Sequence, residues 1–304
     1  MIPTTNHNEA LAGDTLYSAF LNHEWRTIVM PFVIRGMAEI AAAIEDESER
    51  QDFEVRYGAM IDDFYNFELL SEQYRQRVMA TAPLRFNRLN ESIGSQMFDI
   101  SGANYDGTYS GVTWGTGESQ LGEAVPKFDG VNDAGNLYSA AFATAVNMDE
   151  FTLMVWFKVN ALSVWTDGVT RYFVVLLRNS QNSFAIGKWN VNNLLYFSRT
   201  GSGVNKAHWE VSSDTGWVCA ALSCSIAGGG LLNAGDFRAY KNGVNIRTLT
   251  GNIASAGAGL NPSYAVIGAA DFGTKPNPHN GWLSNVMMWN RPIDNDILDL
   301  MKIY

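Results

Sequence analysis

This chain has little cysteine, little charge and no excess of base, and each shortage excludes something. Its two cysteines, Cys219 and Cys224, lie five residues apart in one predicted strand. That odd spacing puts them on opposite faces, roughly 17 Å apart at the rise of an extended chain, so they cannot pair with each other. No disulfide framework supports the fold, and synthesis in a reducing cytosol is compatible with the composition. Met1 to Asp14 is polar, with no basic stretch leading into an apolar run, so no secretory signal is expected. No apolar run reaches the length of a transmembrane helix. Charged residues make up only 17% of the 304 residues, and 21 Lys+Arg against 31 Asp+Glu give a formal net charge of −10. Residues 1–100 hold 8 basic and 16 acidic side chains, the remainder 13 and 15. An acidic first part joined to a nearly neutral second argues against nucleic acid or anionic membrane as a partner.

Catalytic signatures are also missing. The four histidines, His7, His23, His208 and His279, are far apart, and none has the spacing of an HExxH zinc site. No GxSxG elbow, phosphate loop or dinucleotide fingerprint is present. Cys219 and Cys224 read as small buried strand residues before they read as nucleophiles.

What is present divides the chain in two. From Thr15 to about Glu47, Phe20, Trp25, Ile28, Val29, Phe32, Val33, Met37, Ile40 and Ile44 trace a helical stripe, broken or kinked at Pro31. Ser48 is a candidate N-cap for a second stripe through Phe53, Tyr57, Met60, Ile61 and Phe64. A shorter stripe runs from Ser71 to Met79 and stops before Pro83. A segment this short cannot bury a substantial core alone, so its aromatics are expected to pack on the rest of the chain, on other copies, or on a larger assembly. Pro83 to about Gly111 reads as a connector.

Beyond it, short β-branched and aromatic runs alternate with Gly/Asn/Asp/Ser loops, the pattern of an antiparallel sandwich or barrel. Strands are predicted at Phe151–Val159, Tyr172–Arg178, Leu194–Ser198, Trp217–Ile226, Phe237–Lys241, Tyr264–Gly268 and Trp282–Trp289. Asn242-Gly243 supplies the two φ > 0 residues of a type I′ hairpin. Gly228-Gly229-Gly230 reads as a loop, and Asp294–Lys302 as a closing helical turn capped by Asp294. Trp156, Trp217 and Trp289 sit among alternating apolar residues and are expected in the core.

Five pieces in order carry a family resemblance. They are Lys127-Phe128-Asp129-Gly130-Val131-Asn132-Asp133, Phe151-Thr152-Leu153-Met154-Val155-Trp156-Phe157-Lys158, and Gly216-Trp217-Val218-Cys219-Ala220-Ala221-Leu222-Ser223. Tyr240-Lys241-Asn242-Gly243-Val244 and Gly281-Trp282 through to Pro292-Ile293 complete the set. Over about 104–304 the chain resembles the laminin G-like branch of the concanavalin A-like superfamily. The resemblance implies a two-sheet antiparallel jelly roll at 101–304, in a group whose members bind glycans, bind proteins or act as adhesive modules; it does not cover the helical segment at 1–100, which rests on the apolar stripes. Some members hold Ca²⁺ at the sandwich rim. Here Asp129, Asn132 and Asp133 are candidate calcium donors, with Asp271 and Asn280 beyond them, set against the simpler role of Asp129 in bonding its own turn.

In the retaining glucanases of this superfamily the paired carboxylates come from alternate positions of one strand. Glycoside hydrolysis needs two such groups flanking the bond, and the predicted strands contain almost no acid, so the expectation is binding without catalysis. Sugar recognition combines an aromatic platform with planar hydrogen-bonders. Two predicted loops offer that chemistry: one with Trp165, Asp167, Arg171 and Tyr172, the other with Trp189, Asn190 and Asn192, joined by His208 and Trp209. The competing role for these tryptophans is to cover a sheet edge or a subunit interface. The layout is reminiscent of bacteriophage virion proteins, the helical segment anchoring to the assembly and the sandwich meeting glycans. The alternatives are a capsid-cementing protein that recognises no sugar and, last, a glycan-active enzyme.

Overall fold

The computed structural model describes residues 39–44, 46–179, 182–190, 193–201, 204–225, 237–249, 262–271, 273–274 and 276–302. The stripe expected before Glu39, its break at Pro31, and the Gly228-Gly229-Gly230 loop lie outside them.

The two stripes expected after Ser48 form one helix, α1 (Glu47–Ala80). Its cap is Asp46 and not Ser48: the Asp46 carboxylate accepts the backbone N–H groups of Ser48 and Glu49, both at 2.9 Å. An ionised side chain just before the first turn satisfies two unpaired donors and opposes the helix dipole.

Strands begin at once after the helix, inside the expected connector, with β1 (Arg85–Asn87), β2 (Gln96–Met97) and β3 (Gly107–Ser110). Next come β4 (Lys127–Asp129), β5 (Ala134–Asn136), the short helix α2 (Ala140–Ala145), β6 (Phe151–Val159) and a 3₁₀ turn at Leu162–Trp165. Then follow β7 (Arg171–Asn179), β8 (Asn182–Lys188), β9 (Leu194–Gly201), β10 (Val204–Val211), β11 (Val218–Cys224), β12 (Phe237–Lys241) and β13 (Val244–Leu249). The last elements are β14 (Tyr264–Ile267), β15 (Asn280–Trp289) and α3 (Asp294–Leu300). α3 has no side-chain cap: Ile293 holds the cap position, and Asp294 is already its first residue. The hairpin at Asn242-Gly243 forms as expected, with φ of 48° and 78°.

Among the described residues every strand pair is antiparallel, and the strands make two sheets. One runs β1-β15-β6-β11-β12-β13 with β4 beside β15; the other runs β10-β9-β8-β7-β14-β5-β3-β2. Between them lies the main core, where Phe157 of one sheet stacks on Phe173 of the other at 3.9 Å and Phe151 meets Phe184 at 4.9 Å. The chain is therefore a two-sheet antiparallel β-sandwich with a small helical complement.

A third layer covers the outer face of the seven-stranded sheet. Tyr74 and Val78 of α1, with Ile297 and Leu300 of α3, bury Met154, Trp156, Cys219, Met287 and Trp289. This explains why β6 reads Phe-Thr-Leu-Met-Val-Trp-Phe with no polar alternation: a strand covered on both faces has no wet side. Trp156 and Trp289 are buried as expected, under the helices and not between the sheets. Polar contacts pin the layer down. Trp156 Nε1 donates to Tyr74 Oη at 3.0 Å, Trp289 Nε1 to Thr81 Oγ1 at 2.9 Å, and Ser71 Oγ to Glu123 Oε1 at 2.8 Å. Cys219 faces this layer and Cys224 the main core. Both are free thiols, on opposite faces as the spacing predicts. Among the described residues no helix is long and apolar enough to cross a membrane.

Candidate functional site

The structure separates the residues singled out from the sequence into three groups. The first belongs to the core. Trp165 is 0% exposed, donates Nε1–H to the Asp214 carbonyl at 2.8 Å, and meets Phe157 edge-on at 6.3 Å. It cannot serve as a binding platform, because the 3₁₀ turn that carries it folds the indole into the sandwich. A loop position by itself does not make an aromatic accessible.

The second group is an ion cluster. Asp167 accepts Arg171 Nη2 at 2.6 Å and Lys188 Nζ at 2.5 Å. Arg171 also donates to the Pro278 carbonyl at 2.5 Å, and Lys188 to that of Val169 at 2.7 Å. Burial opposes ionisation of Asp167, but hydrogen bonds from Lys188, the Val169 N–H and Arg171 outweigh it and hold the carboxyl below the usual aspartate range. Lys188 is the buried end of β8. With their charges spent on one another, Asp167 and Arg171 tie the 3₁₀ turn to the end of the sheet and do not reach out to a ligand.

The third group comes together on the outer face of the eight-stranded sheet. Trp209, Tyr196, Gly187 and Tyr172 stand opposite one another across β10, β9, β8 and β7. Trp189, one residue beyond β8, lies 5.1 Å from the Tyr196 ring, and Tyr196 lies 5.8 Å from Trp209. Gly187 has no room for a side chain, since a Cβ there would come within 2.3 Å of the Arg171 carbonyl. The next row, Ala207, Ser198, Ala185, Val175, Val266, Asn136 and Thr108, crosses the sheet in register and is built of short side chains. Trp209 is 45% exposed, Trp189 and Tyr172 are half-buried, and Asn190 is exposed. Asn192 lies outside the described residues.

His208 and Trp209 are strand residues of β10, not loop residues. Alternation therefore sends His208 to the other face, where its ring lies 6.3 Å from Phe197 and 3.3 Å from the Glu210 carboxylate. Tyr196 is the member that sequence reasoning missed. Its signal was the alternation Leu195-Tyr196-Phe197, with Tyr196 alone facing outward.

The rim residues weighed for calcium are engaged elsewhere. Asp129 accepts Val131 N–H at 2.7 Å and Asn132 N–H at 3.2 Å, closing its own turn, while Asp133 accepts Asp129 N–H at 2.8 Å. Asp271 likewise accepts Gly273 N–H at 2.6 Å. Among the described residues no three His, Cys, Asp or Glu side chains are placed to hold a metal ion. Burial pushes the Cys224 thiol up to about 12 and Cys219 well above its ordinary value, so neither is poised as a nucleophile at neutral pH.

His279 is fully buried against Phe173 at 5.0 Å, with Nε2 3.4 Å from the Trp282 carbonyl and Nδ1 unpartnered. Burial brings its pKa from 6.5 down to about 3. Below about pH 6.5 the unfolded chain takes up a proton that the folded chain refuses, so stability falls as pH drops from 6.5 towards 3. Urea midpoints measured across that window should decline, and the upper part of the decline should flatten in His279→Gln. An unchanged slope in the variant would remove His279 from the account.

No protein-family model matches this sequence, and no curated protein matches it. Solved structures do resemble it. Domain 4 of a GH43 extracellular arabinanase from Geobacillus stearothermophilus, in complex with arabinotriose, aligns with a TM-score of 0.51 at 14% identity, over 72% of this chain and 98% of that one. A botulinum neurotoxin serotype D/C binding domain aligns at 0.51 and 15%, over 73% and 52%. A Trypanosoma rangeli sialidase aligns at 0.51 and 14%, over 72% and 32%. The chain thus spans about half the length of the neurotoxin domain and about a third of the sialidase. At such identities the likeness is one of fold.

Proposed function

We propose that this protein is a non-catalytic carbohydrate-binding module whose ligand lies on the outer face of the eight-stranded sheet. The observation that carries the proposal is the ladder Trp189–Tyr196–Trp209, with ring centroids 5.1 and 5.8 Å apart and Trp209 open to solvent. Flat rings offer stacking surface to the C–H faces of sugar rings. The neighbouring Thr200, Asn136 and Thr108, which are at least partly exposed, supply hydroxyl and amide partners for sugar hydroxyls. The arabinanase domain, which shares the fold, is described with an arabino-oligosaccharide bound, and this supports the choice of ligand class.

A binding role without hydrolysis agrees with the chemistry of this face. Its described side chains are aromatic, small or hydroxylated, and the Glu210 carboxylate beside Trp209 turns to His208. In the same reading α1 is the anchor to a larger assembly such as a virion. Its last turns hold the sandwich through Tyr74 and Val78, while Val55 and Tyr57 near its start remain exposed.

Titration calorimetry against arabinotriose and other neutral oligosaccharides, guided by a glycan array, tests the site. Trp209→Ala and Trp189→Ala are each expected to weaken binding at least about tenfold, as for the loss of an aromatic hot spot. Equal affinity in both variants, or no binding by the wild-type chain to any saccharide, would reject the proposal.

A further inference from the structure

The eight-stranded sheet ends in a long edge. β10 pairs with β9 along all of Val204–Val211 without a bulge, and among the described residues no strand lies on its other side. Two hydrogen bonds fix which backbone groups face that side. Ser212 N–H donates to the Asn193 carbonyl at 2.7 Å, so the even-numbered residues of this strand turn to β9. Trp189 N–H donates to the Leu194 carbonyl at 2.9 Å, so Leu194, opposite Val211, turns away to β8. Antiparallel alternation then aims the N–H and C=O groups of Asn205, Ala207, Trp209 and Val211 outward. Such a row is a template for another strand, and an edge meant to stay alone is usually short or bulged. This one is neither, and it carries exposed apolar side chains in Trp209 and Val211.

The order of residues along β10 says what fits there. Alternation places Lys206, His208 and Glu210 on one side of the strand, and Asn205, Ala207, Trp209 and Val211 on the other. An antiparallel second copy, related by a two-fold axis through His208, sets each Lys206 opposite Glu210 of the other copy. The outward-facing residues then meet as Ala207 with Trp209 and Asn205 with Val211. These are the hydrogen-bonded pairs of such a ladder, so every outward donor gains an acceptor. Trp209 comes to lie beside Ala207, a side chain short enough to take the indole. Moving the register by two residues breaks both lysine–glutamate pairs. Moving it by four sets Lys206 against Lys206 or Glu210 against Glu210, and like charges directly opposite are destabilising. In this register the edge is complementary to itself.

We infer that two copies of this chain join edge to edge through β10, in antiparallel pairing centred on His208, so that their eight-stranded sheets form one continuous sheet. Trp209 of each copy then stands diagonal to Trp209 of the other, about 7–8 Å apart, and the two aromatic ladders meet in a single row. The association does not depend on what the ladder binds.

Sedimentation velocity on the full chain over a concentration series should show monomer passing to dimer. Ala207→Pro removes one outward donor and crowds the edge but breaks no bond to β9, so it should fold and sediment as a monomer. Lys206→Glu and Glu210→Lys should each abolish the dimer, since either substitution opposes like charges. An equimolar mixture of the two single variants, or one chain carrying both, should dimerise again. In His208→Cys the two thiols sit on a non-hydrogen-bonded pair with Cα atoms about 4.5 Å apart, within disulfide reach. Mild oxidation should cross-link that variant and leave Val211→Cys uncoupled. Thermal melting checks that each variant folds; if Ala207→Pro does not, the charge exchange and the His208→Cys cross-link still decide. A monomer at every concentration would leave the edge to solvent or to another protein and overturn the inference. So would a dimer that survives Ala207→Pro, no recovery on mixing the charge variants, or cross-linking through Val211→Cys in place of His208→Cys.

Discussion

Trp165→Ala should destabilise the chain by about 3–5 kcal/mol, the range for truncating a buried aromatic, while the folded fraction keeps its affinity for saccharide. The indole is fully buried, stands edge-on to Phe157, and gives its N–H to the Asp214 carbonyl. Truncation removes the burial, leaves a cavity between the sheets and strands an acceptor. The segment bearing that acceptor is held at few other points: Lys241 reaches Asp214 at 2.7 Å and Ser212 Oγ donates to it at 2.6 Å. Trp165→Phe should recover much of the packing and lose mainly the hydrogen bond, about 1–3 kcal/mol for a buried carbonyl left bare. Urea unfolding followed by calorimetry on the folded protein separates the two effects. A variant of normal stability that no longer bound saccharide would return Trp165 to the binding site.

Glu123→Ala should cost about 3 kcal/mol, because it leaves Arg88, a cation only 17% exposed, without its counter-charge. Glu123 is 1% exposed. Its carboxylate pairs with Arg88 and accepts Ser71 Oγ at 2.8 Å and Asn90 Nδ2 at 3.3 Å. Ser71 comes from α1, Arg88 and Asn90 from the strand exit after β1, and Glu123 itself from the loop before β4, so one side chain joins the helical layer to the sandwich. The loss should appear first as freer exchange of the amides in the last turns of α1, around Ser71 to Val78. The double variant Arg88→Met, Glu123→Leu should regain a large part of the stability, since the pair's main cost is desolvation. If Glu123→Ala melted like the wild type, the carboxylate would not be what holds the layer down.

Much of the sandwich was legible in the sequence because strand alternation is local. Phe151–Val159 and Phe237–Lys241 appear at their predicted bounds, and the Asn242-Gly243 turn needed no tertiary information. β8 and β10 were not legible as strands. Asn182–Lys188 contains Gly187, and Val204–Val211 mixes polar residues into an edge position, so neither stood out from its loops. β1 to β3 were hidden for a related reason: two- to four-residue strands in a stretch that also holds Gly94, Gly102 and Gly107 read as connector. The ligand face suffered most. Its members lie on β7 to β10, and two of those four strands had been read as loops.

The scarcity of cysteine that first bounded the chain agrees with the structure, in which Cys219 and Cys224 are free thiols on opposite faces. Sequence alone determined that Cys219 and Cys224 face opposite ways and cannot pair with each other, and that the sheets are antiparallel. Each follows from steric preferences acting over a few residues. Only the tertiary structure decided which faces are covered. Period-two alternation divides a strand into two sides without saying what lies over either. For that reason Trp156 and Trp289 lie beneath α1 and α3, and Trp165 is sealed in the core from a loop position. Trp189, Tyr196 and Trp209 meet on one sheet face. Those neighbours are set by pairing between strands far apart in the chain, which no local pattern records.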